Sequence, residues 1–541
     1  MNRCSANWVS SGLAVLGIVC LFLVQTAALL AAPGVPQDAG AAGGKVVKPT
    51  TITAVQVGVS PPMRDMKLAV PEPHDPNHLR ELLEMPPQLH PRADAPKPHD
   101  PLVQRQKGAG LIPSSLLSFD GVGNVNGVQP ADTTMDVSDS QILQWVNLSY
   151  EVWDKSGNRV AGPLPGTSFW SGLSGSPCKT FNGGDILVRW DQFASRWFVS
   201  QLAYPGGTQG FHQCVAVSTT SDATGTYYQY DFLYSLTDLN DYPKVGLWPD
   251  PINNGYYITV RNFANFAFFT GMKIIALNRA SMLAGTPGTA QVFDVGALAP
   301  NLDGLLPADL RGINTPPNGS LETYVGYGSP ATDGSPAPVI HLFQTFVDFV
   351  NPANSTLTQL SDIAVGDFDP NLPGGAPQVG GGALETLPFP LYRTDYRVFS
   401  DHDSLLLLHD VNVNAACGAG EQGGERWHEV RGINTGGPPF LYQEGTYGPC
   451  DNTYRWMGSI AQDASGDIAL GFSASSDGSG IVQDPSVHYT GRLVTDPLGD
   501  MSQGEGTFLD STQSFRGFRW GDYSTMVVDP TDQCTFWYTT M

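Results

Sequence analysis

Carboxylate, tyrosine and histidine side chains cluster just ahead of several short apolar segments of this sequence. Two of these clusters contain Asp522 with Tyr523, and His402 with Asp403. A carboxylic acid beside a tyrosine or histidine can act as a general acid or base. Two opposed carboxyl groups are the pair that glycoside hydrolysis uses. We therefore predict that these four residues are catalytic.

Basic and polar side chains in equivalent clusters are candidates for substrate binding, because arginine forks and tyrosine hydroxyls bind carboxylates and sugar hydroxyls. The candidates are Arg455, Arg519, Tyr454, Asp241 and Lys244. If each cluster leads into the innermost strand of a repeated unit, clusters far apart in sequence meet at one mouth. The two arginines would then approach the same ligand.

The same ring would include Asp132, Asp136, Asp185 and Tyr242. Each cluster also has a purely structural interpretation. The aspartates can accept backbone N–H bonds at turns, and His402 can be a paired, satisfied histidine. The dipeptide Arg-Trp recurs with its arginine at positions 189, 196, 426, 455 and 519, and an arginine stacked on tryptophan often joins strands.

Metal ligands are sparse in the sequence. It has no Cys-x-x-Cys pair and no His-x-x-x-His pair that would indicate zinc. Asp238, Asn240 and Asp241 are candidates for structural Ca²⁺, although no EF-hand loop is present. The sequence indicates no other cofactor.

The elements that position the clusters are β-hairpins. Residues 454–473 read as a polar pair, an apolar run, an Asp-led turn at Asp463 and a second run. Similar turns start at Asp154, Asp191 and Asp529. Their variable spacing suits four-stranded blades with outer loops of different length. We predict an all-β, six- or seven-bladed propeller, with a large β-sandwich as the alternative.

The N-terminal region differs in composition from the rest of the chain. Residues 1–32 have the basic, apolar and small-residue order of a secretory signal peptide, although the apolar run is also long enough for an uncleaved anchor. Residues 33–117 are rich in Pro, Ala and Gly and predict a flexible spacer or pro-region, with a short helix at 78–85. The propeller is expected over 118–541.

Export places the cysteines in an oxidising compartment, where disulfides form. After loss of the signal peptide, five cysteines remain, so at least one is unpaired within the chain. We predict the bridges Cys178–Cys214 and Cys417–Cys450. Cys534 is expected to be a buried thiol.

The charge of the chain restricts its partners. A formal net charge of -23 repels nucleic acid and anionic membranes, and no Lys/Arg run offsets it. The expected protein is secreted or at the cell surface, with extracellular polysaccharide or glycoconjugate as partner. No membrane span is expected in the mature form unless the signal is uncleaved, and the oligomeric state stays open.

From about residue 118 the chain resembles a group of secreted bacterial proteins of unassigned activity. The resemblance is carried by residues 132–137, 191–197, 241–244, 453–460 and 519–524. The Asp-and-Gly hairpins also resemble those of sialidase-type propellers, of whose Ser-x-Asp-x-Gly-x-Thr-Trp box this chain has only a fragment at 475–478.

Two classes of function remain from the sequence. The first is an enzyme that acts on extracellular glycans, a sialidase-like glycoside hydrolase or a polysaccharide lyase, in which a carboxylic acid protonates the leaving oxygen. The second is a non-catalytic recognition or adhesion protein whose propeller face binds a glycan or protein.

Overall fold

Almost all regular structure in this protein is β-strand. The computed structural model describes residues 45–70, 79–83, 85–87, 98–110, 112–372, 374–418 and 421–541. The four α-helices of these residues are single turns, α1 (Gly166–Phe169), α2 (Pro177–Thr180), α3 (Arg279–Leu283) and α4 (Asn414–Cys417). This agrees with the all-β prediction.

The strands of the described residues are short, and most are buried on both faces. In chain order they are β1 (Thr50–Thr53), β2 (Gln56–Val59), β3 (Arg80–Glu81), β4 (Val103–Gln104), β5 (Val128–Gln129), β6 (Thr133–Val137), β7 (Gln141–Val146), β8 (Ser149–Asp154), β9 (Arg159–Pro165), β10 (Leu187–Asp191), β11 (Arg196–Gly206), β12 (Gly210–Ser218), β13 (Tyr227–Ser235), β14 (Leu239–Trp248), β15 (Gly255–Ala264), β16 (Phe268–Asn278) and β17 (Thr289–Asp294). They continue with β18 (Leu306–Pro307), β19 (Leu310–Arg311), β20 (Glu322–Gly328), β21 (Val339–Phe346), β22 (Thr356–Gln359), β23 (Ile363–Ala364), β24 (Asp395–Val398), β25 (Asp403–Asn412), β26 (Gly423–Arg431), β27 (Phe440–Tyr447), β28 (Tyr454–Gln462), β29 (Ile468–Ser475), β30 (Ser486–Arg492), β31 (Glu505–Leu509), β32 (Thr525–Val528) and β33 (Phe536–Thr539).

The Asp-led turns do close antiparallel hairpins, as predicted. They join β8 to β9, β10 to β11, β28 to β29 and β32 to β33. At the turn after β28, the Asp463 carboxylate accepts the backbone N–H groups of Ser465 and Asp467 at 2.7 and 3.0 Å. Asp154 accepts from Ser156 and Asn158 in the same way. These aspartates therefore determine where the strands turn.

The sheets are arranged as a propeller. Successive sheets start at β6, β10, β14, β18, β19 with β24, and β28, and the chain ends in the pair β32–β33. Strand β10 contacts β6 and β14, β14 contacts β18 and β19, and β24 contacts β19 and β28, while β32 contacts both β28 and β6, which closes the ring. Two sheets packed face to face would not give such a closed series. The β-sandwich alternative is therefore wrong.

The sheets are less regular than predicted. Three have five strands, one has six, two have four and two have two among the described residues. The all-β propeller is confirmed, but the predicted number of six or seven blades is not, because the sheets of the described residues differ in strand number.

Part of the irregularity comes from the region predicted as a flexible spacer. β1 pairs with β17, β2 with β13, β4 with β27 and β3 with β5. The described residues of 45–117 thus add edge strands to the propeller, and the predicted boundary at residue 117 is wrong for them. Pairing to preformed sheet edges orders a segment whose composition could not build a core alone.

The predicted signal peptide at 1–32 lies outside the described residues. The helix predicted over 78–85 is partly described. Its residues Arg80–Glu81 form strand β3, so a helix there is wrong.

Both predicted disulfides are present. Cys178 is bonded to Cys214, and Cys417 to Cys450. Cys534 belongs to neither bridge and is half-buried, which corrects its predicted burial. Within the described residues, the helices are all too short or too polar to cross a bilayer.

A buried network of charges connects strands β6, β10 and β19 with Asp309, just ahead of β19, and Arg393, just ahead of β24. The Asp136 carboxylate lies 3.2 Å from Arg189 and 2.7 Å from Arg311. Asp309 lies 2.6 Å from Arg189 and 3.1 Å from Arg311, and Arg393 lies within 3.5 Å of both aspartates. All five side chains are buried. Each charge is paired and hydrogen-bonded, which is the condition under which charges are tolerated inside a protein.

A second buried pair has no such compensation. Asp410 and Glu425 lie directly opposite each other on β25 and β26, and both are buried. Met457 donates its backbone N–H to Asp410 at 3.1 Å. Among the described residues no basic side chain forms an ion pair with either carboxyl group. Burial, together with Asp410, raises the pKa of Glu425 well above its ordinary value of 4.5.

We therefore predict that Glu425→Gln stabilises the protein at alkaline pH. The raised pKa means that the fold favours the protonated acid, so wild-type stability is complete below about pH 4.5 and falls as the pH rises. The amide cannot ionise, and the variant should gain about 1–3 kcal/mol at pH 8 but nothing at pH 4. Urea unfolding at both pH values measures this. Equal stability at pH 8 would contradict the buried, proton-retaining pair.

Candidate functional site

A cleft lined by three aspartates is the main candidate site. Its acidic residues are Asp185, Asp241 and Asp522, each from a different sheet or inter-sheet loop. The remaining lining residues are Leu83, Met85, Tyr242, Arg261, Leu387 and Phe389. The cleft has room for about one water molecule. A concave, partly apolar cleft with convergent polar groups has the composition of a ligand site.

The backbone around the cleft is held in unusual conformations. Asp132, Asp185 and Tyr242 have positive φ angles of 47°, 52° and 50°. This left-handed region is costly for residues other than glycine, and more so for a bulky tyrosine. The register of β14 against β15 also shifts between Asp241 and Lys244. Such bulges and strained residues cluster at functional sites, because they redirect side chains out of the regular pleat.

The loop before β32 is bonded to the loop before β6. Asp522 donates its backbone N–H to Asp132 at 2.9 Å, and Tyr242 donates its hydroxyl to the Asp522 carbonyl at 3.1 Å. Arg519 donates to the Asp522 carboxylate at 2.6 Å and to Glu385 at 3.1 Å. Asn147 holds the second oxygen of Asp132 at 3.1 Å. Asp522 is therefore fixed from both its backbone and its side chain.

Asp241 is fixed by Arg261. Its carboxylate accepts from the arginine Nη1 at 3.0 Å. The opposite side of the guanidinium donates to Asp303 at 2.8 and 3.0 Å. Because Asp303 orients the arginine through two parallel bonds, Asp241 is presented to the cleft in one position.

Lys244 lies between two tyrosine rings behind the cleft. Its Nζ is 2.8 Å from the ring centroid of Tyr242 and 4.0 Å from that of Tyr523. The Tyr523 hydroxyl lies 3.0 Å from the Pro243 carbonyl oxygen and 3.3 Å from the Asp185 carboxyl group. Burial lowers the pKa of Lys244 well below its ordinary value.

The aspartates of the cleft share too little positive charge to ionise together. Burial raises the pKa of Asp185 to about 7, with Asp241 and Asp522 as further causes. Burial also raises the pKa of Asp241 to about 6, although Arg261 opposes this shift. Burial and the nearby Asp522 raise the pKa of Asp132 well above its usual range. One site therefore contains a carboxylic acid and a carboxylate near neutral pH, the pairing that acid–base catalysis needs.

Five of the nine predicted site residues do come together. They are Asp241, Lys244, Arg519, Asp522 and Tyr523. Asp241 and Asp522 line the cleft, Tyr523 and Lys244 lie directly behind it, and Arg519 positions Asp522.

The predicted catalytic pair His402 and Asp403 is elsewhere. Asp403 is buried and accepts the backbone N–H groups of Gly432, Ile433 and Asn434. His402 bonds to its neighbour Asp401, whose side chain is 79% exposed. Neither residue lines the cleft. Asp403 instead holds the turn between β26 and β27.

Arg455 and Arg519 bind different carboxylates. Arg455 is fully buried, and its guanidinium donates to Asp451 and Glu505. Tyr454 donates its hydroxyl to the Glu421 carbonyl. Neither group reaches the partners of Arg519. Nor do the arginines of the Arg-Trp dipeptides stack on tryptophan among the described contacts, since carboxylates or backbone oxygens bind them.

Three further residues of the site were assigned little or no role by sequence reasoning. Asp185 and Asp132 were expected in the ring but not as catalytic groups, and Arg261 was not considered. Only the folded structure indicates a role for Arg261, because the β14–β15 register places this residue opposite Asp241. That pairing is set by a bulge that the sequence does not mark.

The candidate calcium ligands do not converge. Asp241 is bound to Arg261, and the Asn240 amide donates to Gln213 at 2.9 Å. Asp238 accepts the Thr237 hydroxyl at 2.7 Å on the exposed side of the same turn. Within the described residues there is no group of three His, Cys, Asp or Glu side chains placed to hold a metal ion.

Comparison with known proteins gives only remote structural similarity. No protein-family model matches the chain, and no curated protein matches it. An exo-1,5-alpha-L-arabinanase from a bovine ruminal metagenomic library is 9% identical at a TM-score of 0.28, over 66% of this chain and 92% of that one. An exo-beta-1,3-galactanase from Phanerochaete chrysosporium is 13% identical at 0.30, over 69% and 79%. Scores this low carry no argument, and the propeller assignment rests on the sheets described above.

The proton held by Asp185 should be measurable through stability. Its folded pKa of about 7 is above the ordinary 3.8, so wild-type stability is complete below about pH 3.8 and falls as the pH rises through 7. We predict that Asp185→Asn gains roughly 2–4 kcal/mol over wild type at pH 8.5. Thermal unfolding between pH 4 and 8.5 measures the difference. A variant that is equally destabilised at every pH would show that the carboxyl group has only a bonding role.

Proposed function

We propose that this protein is a secreted glycan-cleaving enzyme whose cleft carries out acid–base catalysis with Asp185 and Asp241. The observation that carries the proposal is the cleft itself, in which one aspartate keeps its proton to about pH 7 and another is bound to an arginine. Cleavage of a glycosidic bond needs a proton donor for the leaving oxygen and a carboxylate at the opposite face of the sugar.

The residues divide between these tasks. Asp185 is the general acid, because burial and its acidic neighbours keep it protonated near neutral pH. Asp241 is the carboxylate, since Arg261 stabilises its ionised form. The Tyr523 hydroxyl orients Asp185 from behind at 3.3 Å. Asp522, bound by Arg519, is a third carboxyl group suited to accept hydrogen bonds from sugar hydroxyls.

The cleft walls agree with a sugar ligand. Phe389 and Leu387 supply apolar surface, while Tyr242 supplies an aromatic ring. Sugars present apolar C–H faces and polar edges, so a cleft of mixed aromatic and carboxylate character is suited to them. The chain's negative charge disfavours polyphosphate substrates. A carboxylated sugar would need an arginine whose guanidinium is available to bind it. The guanidinium of Arg455 is bound to Asp451 and Glu505, which argues against a sialidase-like activity.

Secretion is part of the same proposal. Two disulfides close loops of 36 and 33 residues, and such bridges persist in oxidising compartments. The predicted signal peptide at 1–32 would deliver the chain there, and the substrate would be an extracellular polysaccharide or glycoconjugate.

A non-catalytic recognition protein is the second candidate. It is favoured by one observation, that Arg261 and Arg519 already donate to acceptors of the protein itself around the cleft. In that case the acidic cleft would bind a glycan without cleaving it. Turnover separates the two candidates, since a lectin-like cleft binds and releases the same molecule.

The predicted activity has a narrow pH range. Cleavage should rise as Asp241 ionises near pH 6 and fall as Asp185 ionises near pH 7. Asp185→Asn and Asp241→Asn should each lower kcat/KM by roughly 100-fold or more. A reducing-end assay on a panel of neutral and acidic polysaccharides and sialosides measures it.

His402→Ala is the matched control, because His402 is titratable but is outside the cleft, and its turnover should equal that of wild type. A panel on which wild type binds a glycan but releases no new reducing ends would favour the recognition protein. If His402→Ala lowered kcat/KM as much as the cleft variants do, the catalytic residues would lie outside the cleft.

A further inference from the structure

The same cleft is covered by a segment from the N-terminal region, here called the strap and defined as residues 79–83 and 85–87. Its strand β3 runs parallel to β5. Arg80 donates its backbone N–H to Gly127, and Leu82 donates to Gln129, both at 2.9 Å. These bonds fix one end of the strap beside the loop that leads to Asp132.

The strap is bound by the two arginines that hold the aspartates of the cleft. Arg519 donates to the Leu82 carbonyl at 3.3 Å. Arg261 donates to the carbonyls of Met85 and Pro86, each at 2.7 Å. Each guanidinium thus divides its N–H groups between a carboxylate of the site and the backbone of the strap.

Two strap side chains form part of the cleft wall. Leu83 and Met85 both line it. Both also pack against the buried cluster of Phe211, Leu239 and Phe263. With the strap in place, the cleft has room for about one water molecule, far below the usual size of small-molecule sites, roughly 300–1,000 Å³.

Backbone carbonyls are acceptors of the same kind as the hydroxyl and carboxylate oxygens of a glycan. A ligand that enters the cleft therefore competes with the strap for the same donors on Arg261 and Arg519. We propose that the strap is an autoinhibitory segment, which occupies the substrate-binding donors of the cleft and must leave before a glycan binds. This inference rests on the proposed function, because it names the regulation of that site.

Negative charge added to the strap is expected to release it from the cleft. Leu83 and Met85 face a cleft that already contains Asp185, Asp241 and Asp522. A carboxylate introduced at either strap position would be repelled by these aspartates and would lose its apolar contacts. The double variant Leu83→Glu/Met85→Glu should therefore release the strap and leave the cleft residues unchanged.

The control double variant is Leu68→Glu/Val70→Glu. It adds the same charge to the same N-terminal region, at side chains that are 62% and 83% exposed. A third variant replaces residues 82–86 by Gly and Ser, which removes the apolar side chains without adding charge. All three are made in the full chain.

The first measurement does not depend on activity. Carboxyl groups are labelled with a water-soluble carbodiimide and glycine ethyl ester, and labelling of Asp185 and Asp241 is quantified by mass spectrometry. Hydrogen exchange at the Arg80 and Leu82 amides reports the strap itself. Labelling should rise by about tenfold in both strap variants and stay unchanged in the control, with the exposed Asp401 as internal standard. If Asp185 and Asp241 are labelled only as much in both strap variants as in wild type, the proposal is overturned.

The second measurement is turnover on the polysaccharide panel. The strap variants should cleave with a lower KM than wild type, because the fraction of molecules with an open cleft is larger. Raised labelling with unchanged KM and kcat would overturn autoinhibition while leaving the proposed function intact. Raised labelling with no cleavage in any variant would instead reject the enzyme, and glycan binding by the strap variants alone would then show that the strap restrains a recognition site.

Discussion

The fold depends on the buried charges that connect the first strands of its sheets. Asp136 and Asp309 each accept from arginines of other sheets or loops, and the side chains are out of contact with water. An unpaired charge at this depth would cost several kcal/mol, so the sheets have to stay in the arrangement that pairs them. This requirement holds together segments that are more than 100 residues apart in sequence.

The cleft is also built from buried acidic and basic side chains, but in a different ratio. In the central network three arginines surround two aspartates, and every carboxylate is compensated. In the cleft, burial and the neighbouring carboxyl groups of Asp241 and Asp522 together raise the pKa of Asp185 to about 7. Burial is common to both places, and the ratio of acids to bases decides whether a buried aspartate is a structural ion or a proton donor.

The N-terminal region connects the fold to the regulation of the site. Strands β1, β2 and β4 add to the outer edges of three sheets, while the strap crosses the cleft and binds Arg261 and Arg519. Its edge strands anchor the chain on either side of the strap in sequence. Among the described residues, its contacts at the cleft are the hydrogen bonds to Arg261 and Arg519 and the packing of two apolar side chains.

The sequence by itself determined the hairpins and the bridges, because both follow from local chemistry. Asp463 and Asp154 turn the chain through bonds to backbone groups two and four residues away, and the loops between paired cysteines are short. Only the tertiary structure decided which clusters meet. His402 and Asp522 belong to similar polar clusters in sequence, yet one anchors a surface turn and the other lines the cleft. The difference depends on bulges, positive φ angles and inter-sheet contacts, and these are set by burial in the assembled ring rather than by neighbouring residues.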